Sequence, residues 1–194
     1  MSGPSVLQPV PRSKTLNRET LKSIVEGMIF ANNDPLSLDI MARVIHEASP
    51  QDIKSVLDEL EQEYKQRARG FTLERVAAGY QFRTLLSLQS WISEMKQSKP
   101  PSRLTRAALE TLSIIAYNQP IARSQIEQIR GVESAGTLKH LMERELIAVV
   151  GRKDVPGRPL LYGTSRRFLE VFGLNDLASL PPLPEIESIT EDSE

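Results

Sequence analysis

The residues with the greatest chemical potential lie close together in GRKDVPGRPLLYG, residues 151–163, where glycines and prolines surround three cationic side chains. A phosphate-binding loop of the G-x-x-x-x-G-K-[ST] type surrounds phosphate with backbone N–H groups and a lysine, between a strand and a helix. Here Gly151 and Gly157 are one residue too far apart, and Arg158-Pro159 stands where Lys-Ser is needed. Because proline also lacks an N–H group, the stretch is not predicted to bind phosphate.

The four residues VPGR account for one proline and one glycine of this stretch without any ligand. Pro156 and Gly157 fit the two central positions of a type II turn, the second of which needs a positive φ. The turn does not explain the cations Arg152, Lys153 and Arg158. Three interpretations of these cations remain open: contact with DNA phosphates, contact with an acidic protein surface, or a solvated hairpin tip.

Other catalytic chemistry finds little support in the composition. The sequence contains no cysteine, which excludes disulfides, thiolate metal ligands and cysteine nucleophiles. Its two histidines, His46 and His140, are far apart in the sequence, so no catalytic zinc site is predicted. The carboxylates are scattered along predicted solvent faces and form no isolated acidic pair in an apolar pocket. We therefore predict no catalytic residue, no metal and no cofactor, and expect that the protein is not an enzyme.

Charge and hydropathy delimit the folded part of the chain. Residues 1–99 carry a net charge of +1, residues 100–173 a net charge of +4 and residues 174–194 a net charge of −6. Residues 1–17, with three prolines and no acidic side chain, are expected to form a disordered tail, with a cleaved organellar leader as the alternative. The acidic residues 174–194 are expected to be mostly disordered. The longest apolar runs are only a few residues long, so no membrane span is predicted.

The chain between these tails divides at QSKPPSR, residues 97–103, because a Pro-Pro pair between polar residues cannot continue a helix. The first half, residues 18–98, shows three helical patterns. The third begins with a capping box, in which Ser49 is the N-cap, Pro50 the first helical residue and Asp52 the reciprocal partner. The apolar period then falls from 3.6 to 2 around AAG. This change predicts a β-hairpin in which Gly79 supplies the turn.

The second half, residues 103–173, repeats the same order of elements. Thr105 is the predicted N-cap of its first helix, a second helix is predicted over Arg123–Arg130, and a third begins at Ser134. LIAVV and PLLYG are predicted to form two strands, and a short last helix is predicted to end at Gly173.

Three helices followed by a two-stranded hairpin form a winged-helix domain, a helix-turn-helix variant in which the hairpin is the wing. We therefore predict an α+β fold, mainly α with small β-hairpins, built from two tandem winged-helix domains. In this fold GRKDVPGRPLLYG is the wing of the second domain.

The helices that would enter a DNA groove do not display a convincing set of base-reading side chains. The helix of the first domain is predicted to expose five carboxylates: Asp52, Asp58, Glu59, Glu61 and Glu63. The helix of the second domain exposes a mixed set: Lys139, His140, Glu143 and Arg144. Both faces suit protein contacts better. The candidate partner-binding residues are therefore Arg152, Lys153, Asp154 and Arg158 on the wing, with Lys139, His140 and Arg144 on the helix.

The aromatic side chains fall on predicted apolar faces. Tyr80 and Phe82 lie on the same side of one strand, which predicts core packing. Trp91 shares a helix face with Leu88 and Met95. We predict this tryptophan in the core or in a domain interface, with an anchor for a partner protein as the alternative.

The second half also carries a run of motifs that resembles the bacterial family of segregation and condensation protein B. The motifs are LTRAALE (Leu104–Glu110), YNQPI (Tyr117–Ile121), IRGV (Ile129–Val132), GRKDVPGRP (Gly151–Pro159) and YGT (Tyr162–Thr164). They fall within residues 103–181, whereas the first half matches the family by the order of its elements.

The resemblance implies a non-enzymatic accessory subunit of the bacterial condensin, acting in chromosome condensation and partition during cell division. It implies a homodimer formed chiefly through the first domain. The second domain would contact the kleisin partner, segregation and condensation protein A, which bridges the heads of the SMC ATPase. It further implies a cytoplasmic, nucleoid-associated protein with indirect or weak DNA contact and no membrane contact. A winged-helix DNA-binding transcriptional regulator is the alternative, because of the three wing cations.

Overall fold

Two separate hydrophobic cores organise the molecule. A computed structural model describes residues 16–66, 69–95 and 104–183 of the 194-residue chain. One core is built from side chains within residues 16–82 and the other from side chains within residues 104–180. Because each core is enclosed by helices and one antiparallel hairpin, the predicted α+β fold of two tandem winged-helix domains is confirmed.

The first core is closed mainly by three helices and a hairpin. The described elements of this half are α1 (Arg18–Ala31), α2 (Leu38–Val44), α3 (Pro50–Gln66), β1 (Phe71–Val76), β2 (Gly79–Thr84) and α4 (Gln89–Met95). The capping box of α3 forms as predicted: the N–H of Asp52 donates to Ser49 Oγ, and the N–H of Ser49 donates to Asp52 Oδ2, both at 3.2 Å. α3 then buries the face that its periodicity predicts: Ile53, Val56, Leu57, Leu60 and Tyr64.

The hairpin turn of the first half is formed by two alanines. Ala77 and Ala78 have φ angles of 49° and 56°, so both occupy the left-handed region. Gly79 is instead the first residue of β2, and the prediction that it supplies the turn is wrong. A Cβ at this position would lie 2.8 Å from the carbonyl carbon of Pro35 and 3.0 Å from the backbone of Leu36. The glycine is required because another backbone segment passes close beside it.

The second core lies beneath a three-stranded sheet and four helices. The described elements are α5 (Arg106–Asn118), β3 (Ile121–Ala122), α6 (Arg123–Arg130), α7 (Ala135–Glu143), β4 (Ile147–Arg152), β5 (Leu160–Thr164) and α8 (Arg166–Phe172). The strands are antiparallel in the order β3-β5-β4, with a bulge between Val149 and Gly151. Thr105 caps α5 as predicted, since its Oγ1 accepts from the N–H of Ala108 at 3.2 Å.

Residues 174–183 belong to the predicted acidic tail but pack against the second half, so the predicted disorder is wrong for this part of the tail. Leu174 and Leu180 lie against its core, on either side of the short 3-10 turn Leu177–Ser179. The Tyr117 hydroxyl also donates to the carbonyl of Pro181 at 2.6 Å. The two leucines explain why this segment stays attached despite the charge around it. Residues 1–15 and 184–194 of the predicted tails lie outside the described residues.

The two halves meet where the first hairpin faces α8. The N–H groups of Ala77 and Ala78 each donate at 2.9 Å, to the carbonyls of Leu174 and Asn175 respectively. No helix within the described ranges has both the length and the apolar character needed to cross a membrane.

Candidate partner-binding surfaces

Several motif residues of the second half hold the helices of that half together. The side chain of Arg130, at the end of α6, lies 3.6 Å from the carboxylate of Glu110 on α5 and is largely buried. Gly131 ends α6 in the left-handed conformation, with φ 70°. The motifs LTRAALE and IRGV therefore join α5 to the helix-turn-helix unit of α6 and α7.

A second clamp connects α5 to the wing. Gln119 Oε1 accepts from the N–H of Thr164 at 2.8 Å, and Gln119 Nε2 donates to Thr164 Oγ1 at 3.0 Å and to the carbonyl of Ala116 at 3.1 Å. Gly163 leaves room for this clamp, since a Cβ there would lie 2.9 Å from Gln119 Oε1 and from a methyl group of Val150. The motifs YNQPI and YGT thus position the base of the wing.

The turn between α6 and α7 is held by one carboxylate. Glu127 Oε1 accepts from the N–H of Ser134 at 2.9 Å and from Arg123 Nε at 2.7 Å. Both hydrogen bonds lower the pKa of Glu127 below its ordinary value, and the bond from the Ser134 N–H has the larger effect. Ser134 is the N-cap residue of α7. Because Glu127 on α6 accepts its N–H, this carboxylate ties the start of α7 to α6.

The wing tip presents its charged side chains to solvent. Residues 152–158 are all exposed. The predicted turn forms, because the N–H of Arg158 donates to the carbonyl of Val155 at 2.9 Å and Gly157 has a φ of 85°. Arg152 donates to the carbonyl of Arg158 at 3.3 Å, which brings these two candidate residues together across the loop.

The other candidate residues lie on α7 and directly after it. Lys139 and His140 are exposed, and the Lys139 ammonium lies 3.9 Å from the Glu143 carboxylate on the same helix. Arg144 follows the last residue of α7, and its N–H donates to the carbonyl of His140. The wing group and the α7 group therefore occupy two consecutive elements of the second half.

The acidic face predicted for α3 is largely neutralised within the first half. Glu59 accepts from Arg18 Nη2 at 2.8 Å and from Lys22 Nζ at 2.9 Å, and Lys22 also pairs with Glu63. The hydrogen bonds to Glu63 and Glu59 raise the pKa of Lys22, and those from Lys22 and Arg18 lower the pKa of Glu59. These carboxylates hold α3 against α1, so they do not need a partner protein to explain them.

Tyr64 shows a similar internal role at the same helix pair. Its hydroxyl donates to Glu26 on α1, while its ring packs at a tilt against Phe71 and edge-on against Phe82 of the hairpin, at centroid distances of 5.4 and 4.9 Å. Burial of the ring, followed by the Glu26 contact, raises the pKa of Tyr64 to about 12. Phe82 packs on the first core and Tyr80 is buried within it, as their strand positions predict.

The first half exposes large apolar side chains in and just before α4. Trp91 is 71% exposed in the chain that contains both halves, so its predicted place in the core or in a domain interface is wrong, and the alternative of an anchor for a partner protein stays open. Leu86 and Met95 are 82% and 73% exposed. We call Trp91 and Met95 the α4 face. Trp91 and Met95 are one helical turn apart on α4, a helix with no buried residue.

Leu86 was missed because it lies in the short 3-10 turn Leu86–Leu88, where helical periodicity gives no signal. A cleft of about 630 Å³ adjoins this turn, between Leu85 and Ile92 of the first half and Arg167 and Val171 of α8. Among the residues that the structure describes, no group of three or more metal-ligating side chains could hold a metal ion.

Comparison with known proteins identifies relatives along nearly the whole chain. The model of the family described as "Segregation and condensation complex subunit ScpB" matches residues 23–183. The chain is 48% identical over 174 residues to segregation and condensation protein B of Syntrophotalea carbinolica, covering 90% of this chain and 87% of the relative. It is 42% identical over 175 residues to the protein of that name from Moorella thermoacetica, covering 90% and 89%.

Two solved structures are also similar. The crystal structure of ScpB from Mycobacterium tuberculosis is 28% identical, with coverage of 82% of this chain and 98% of that chain and a TM-score of 0.40. A crystal structure of a dimer of the ScpB N-terminal domain complexed with a ScpA peptide is 29% identical, with coverage of 40% and 95% and a TM-score of 0.37.

Proposed function

The chain belongs to the family of the segregation and condensation complex subunit ScpB, and on that premise we propose that it is a non-enzymatic subunit of an SMC–kleisin complex. In this role it takes part in chromosome condensation and partition during cell division, as a cytoplasmic, nucleoid-associated protein. The ATP chemistry of such a complex belongs to SMC, so the chain's contribution is to hold other subunits.

The observation that carries this proposal is the α4 face. Trp91 and Met95, one helical turn apart on α4, each expose more than two thirds of their surface, and neighbouring large apolar groups that are exposed mark sites of protein association. A seven-residue helix with no buried side chain is also unstable by itself in water. We propose that a second copy of the chain covers this face, so that residues 18–98 form the dimerisation domain.

We propose that the second half, residues 103–173 with the packed segment that follows, contacts the kleisin. Its motif residues are otherwise occupied with the internal clamps of α5, α6 and β5. The charged side chains of the wing also belong to a motif, but they are exposed and form no such clamp. In this proposal the kleisin, segregation and condensation protein A, contacts Arg152, Lys153, Asp154 and Arg158 together with Lys139, His140 and Arg144. The three wing cations face acidic side chains of the kleisin, and Asp154 faces a hydrogen-bond donor or a cation. SMC is then reached through the kleisin, and DNA contact is indirect or weak.

Binding of the purified kleisin tests this assignment. We expect the kleisin to co-elute with the chain, and the triple variant Arg152→Ala, Lys153→Ala, Arg158→Ala to bind at least about tenfold more weakly, since buried charge pairs at interfaces are costly to break. Lys65→Ala is a matched control, because this exposed cation pairs with Glu61 on its own helix in the first half. Unchanged kleisin binding by the triple variant would remove the wing from the interface.

A DNA-binding regulator is the second candidate, favoured by the same three exposed cations. It predicts duplex binding at low salt that falls steeply as salt rises, because phosphate contacts release counterions. It also predicts that the triple variant loses this binding. A chain that binds no duplex at low salt would exclude the regulator and leave the kleisin assignment standing.

A further inference from the structure

The hairpin turn of the first half makes an unusual contact with the second half. In a two-residue hairpin turn the N–H groups of both central residues have no partner within the hairpin. Here the N–H groups of Ala77 and Ala78 donate to the carbonyls of Leu174 and Asn175, each at 2.9 Å. Ala77 is only 5% exposed, although it lies at the tip of a hairpin. The turn is therefore seated on the other half.

The accepting carbonyls, those of Leu174 and Asn175, directly follow the C-terminus of α8. Gly173 adopts the left-handed conformation with φ 67°, and the N–H of Leu174 returns to the carbonyl of Leu169 at 2.9 Å. The chain then continues away from the helix with its next two carbonyls toward the hairpin. At the opposite end of α8, Arg166 Nη2 donates to the carbonyl of Pro35 at 2.6 Å. Both ends of α8 thus bind backbone groups of the first half.

Hydrogen bonds to backbone carbonyls connect the halves at both ends of α8, and the two hydrophobic cores have no member in common. In the part of the chain that the structure describes, the buried Oδ1 of Asn175 receives no hydrogen bond, which disfavours the closed arrangement. Such an interface can separate without exposing either core, and domains joined in this way move as units.

We propose that the Ala77–Ala78 turn, the Leu174–Asn175 segment and the Arg166–Pro35 contact form a latch between the halves, and that the halves separate as two rigid bodies when it opens. The closed latch fixes the angle between α4 and the wing and holds together the walls of the cleft between Leu85 and Val171. Under the proposed function, the latch sets how the chain presents its two partner surfaces, but its existence does not depend on the identity of either partner.

Amide hydrogen exchange followed by NMR on the full chain tests the latch directly. The closed latch predicts that the amides of Ala77 and Ala78 exchange at least about tenfold more slowly than an exposed turn, although a free hairpin gives them no protection. Exchange at the rate of an exposed turn would overturn the proposal.

Arg166→Ala removes one end of the latch, and Arg106→Ala is its control because Arg106 is exposed and pairs with Glu110 on its own helix, α5, at 3.1 Å. We expect Arg166→Ala to accelerate amide exchange at Ala77 and Ala78 by about tenfold, because the loss of a hydrogen bond from a charged group costs about 1.4 kcal/mol or more, and Arg106→Ala to leave that exchange unchanged. The paired strand residues Leu73 and Phe82 report whether the hairpin itself remains folded. Equal effects of the two variants on Ala77 and Ala78 would contradict the latch.

A distance measurement provides a second, independent readout. Because the sequence contains no cysteine, spin labels can be attached only to introduced ones, at the exposed positions Lys54 on α3 and Gln128 on α6. With labelled chains diluted in unlabelled protein, double electron–electron resonance should give one narrow distribution of distances between the two labels. Arg166→Ala should broaden this distribution. A broad distribution in the otherwise unaltered chain would overturn the proposal even if every variant failed to fold.

Discussion

Gln119 and Thr164 form two reciprocal hydrogen bonds in the second half. The Thr164 N–H donates to Gln119 Oε1 at 2.8 Å, and Gln119 Nε2 donates to Thr164 Oγ1 at 3.0 Å. They belong to two family motifs, YNQPI and YGT, that are 45 residues apart in the sequence. Their contact joins the end of α5 to the base of the wing. The two motifs are thereby explained by structure, and the exposed charges at the wing tip are left for recognition.

Gln119→Ala should destabilise the second half by about 1–3 kcal/mol, because it leaves the partly buried N–H of Thr164 without its acceptor. The matched control is Asn118→Ala, since Asn118 donates only to the carbonyl of Ile114 on its own helix and is exposed. We expect the control to change stability by less than about 0.5 kcal/mol. Urea unfolding measures both, and equal losses would show that the Gln119–Thr164 clamp has no special role.

Two glycines should respond to alanine with opposite signs. Gly157→Ala places a Cβ at φ 85° in the wing turn and should cost about 1–2 kcal/mol. Gly136→Ala, within α7, meets no atom within 4 Å and should stabilise by about 0.5–1 kcal/mol through its helix propensity. Thermal unfolding of the two variants checks the pair. A neutral Gly157→Ala would contradict the left-handed turn at the wing tip.

The contact between α1 and α3 should make the first half sensitive to acid. The Lys22 and Arg18 hydrogen bonds hold the pKa of Glu59 below its ordinary value of 4.5. This stabilisation is therefore present above pH 4.5, and it is lost as the pH falls from there through the lowered pKa. Glu59→Gln should flatten the acid limb of a stability–pH profile, whereas Asp58→Asn, at an exposed position of the same helix, should leave it unchanged. A profile that Glu59→Gln does not alter would contradict the ion-pair account.

The sequence predicts well those features that depend on neighbouring residues. The caps at Ser49 and Thr105 and the Pro156-Gly157 turn each depend on side chains or backbone within a few positions. The apolar face of α3 follows from its period alone. For these features the local chemistry allows few alternatives, and the structure confirms them.

Features that depend on distant parts of the chain could not be predicted in the same way. Periodicity shows that Trp91 and Met95 share a face, but it cannot show whether another surface of the chain covers that face. The requirement for glycine at position 79 comes from Pro35, whose backbone approaches only in the folded state. Likewise, the attachment of Leu180 follows from a core formed by residues far away in the sequence.

The mass of the chain in solution, measured by light scattering after size-exclusion chromatography, tests the central claim that the α4 face joins two copies. We expect twice the 21.7 kDa mass of one chain. Trp91→Ser with Met95→Ser should weaken the dimer at least about 100-fold and return the mass to one chain, because buried aromatic anchors dominate interface energy. Ile129→Ser, at a position 57% exposed in the second half, should remain dimeric. A single-chain mass for the unaltered protein, or a double variant that remains dimeric, would contradict the claim.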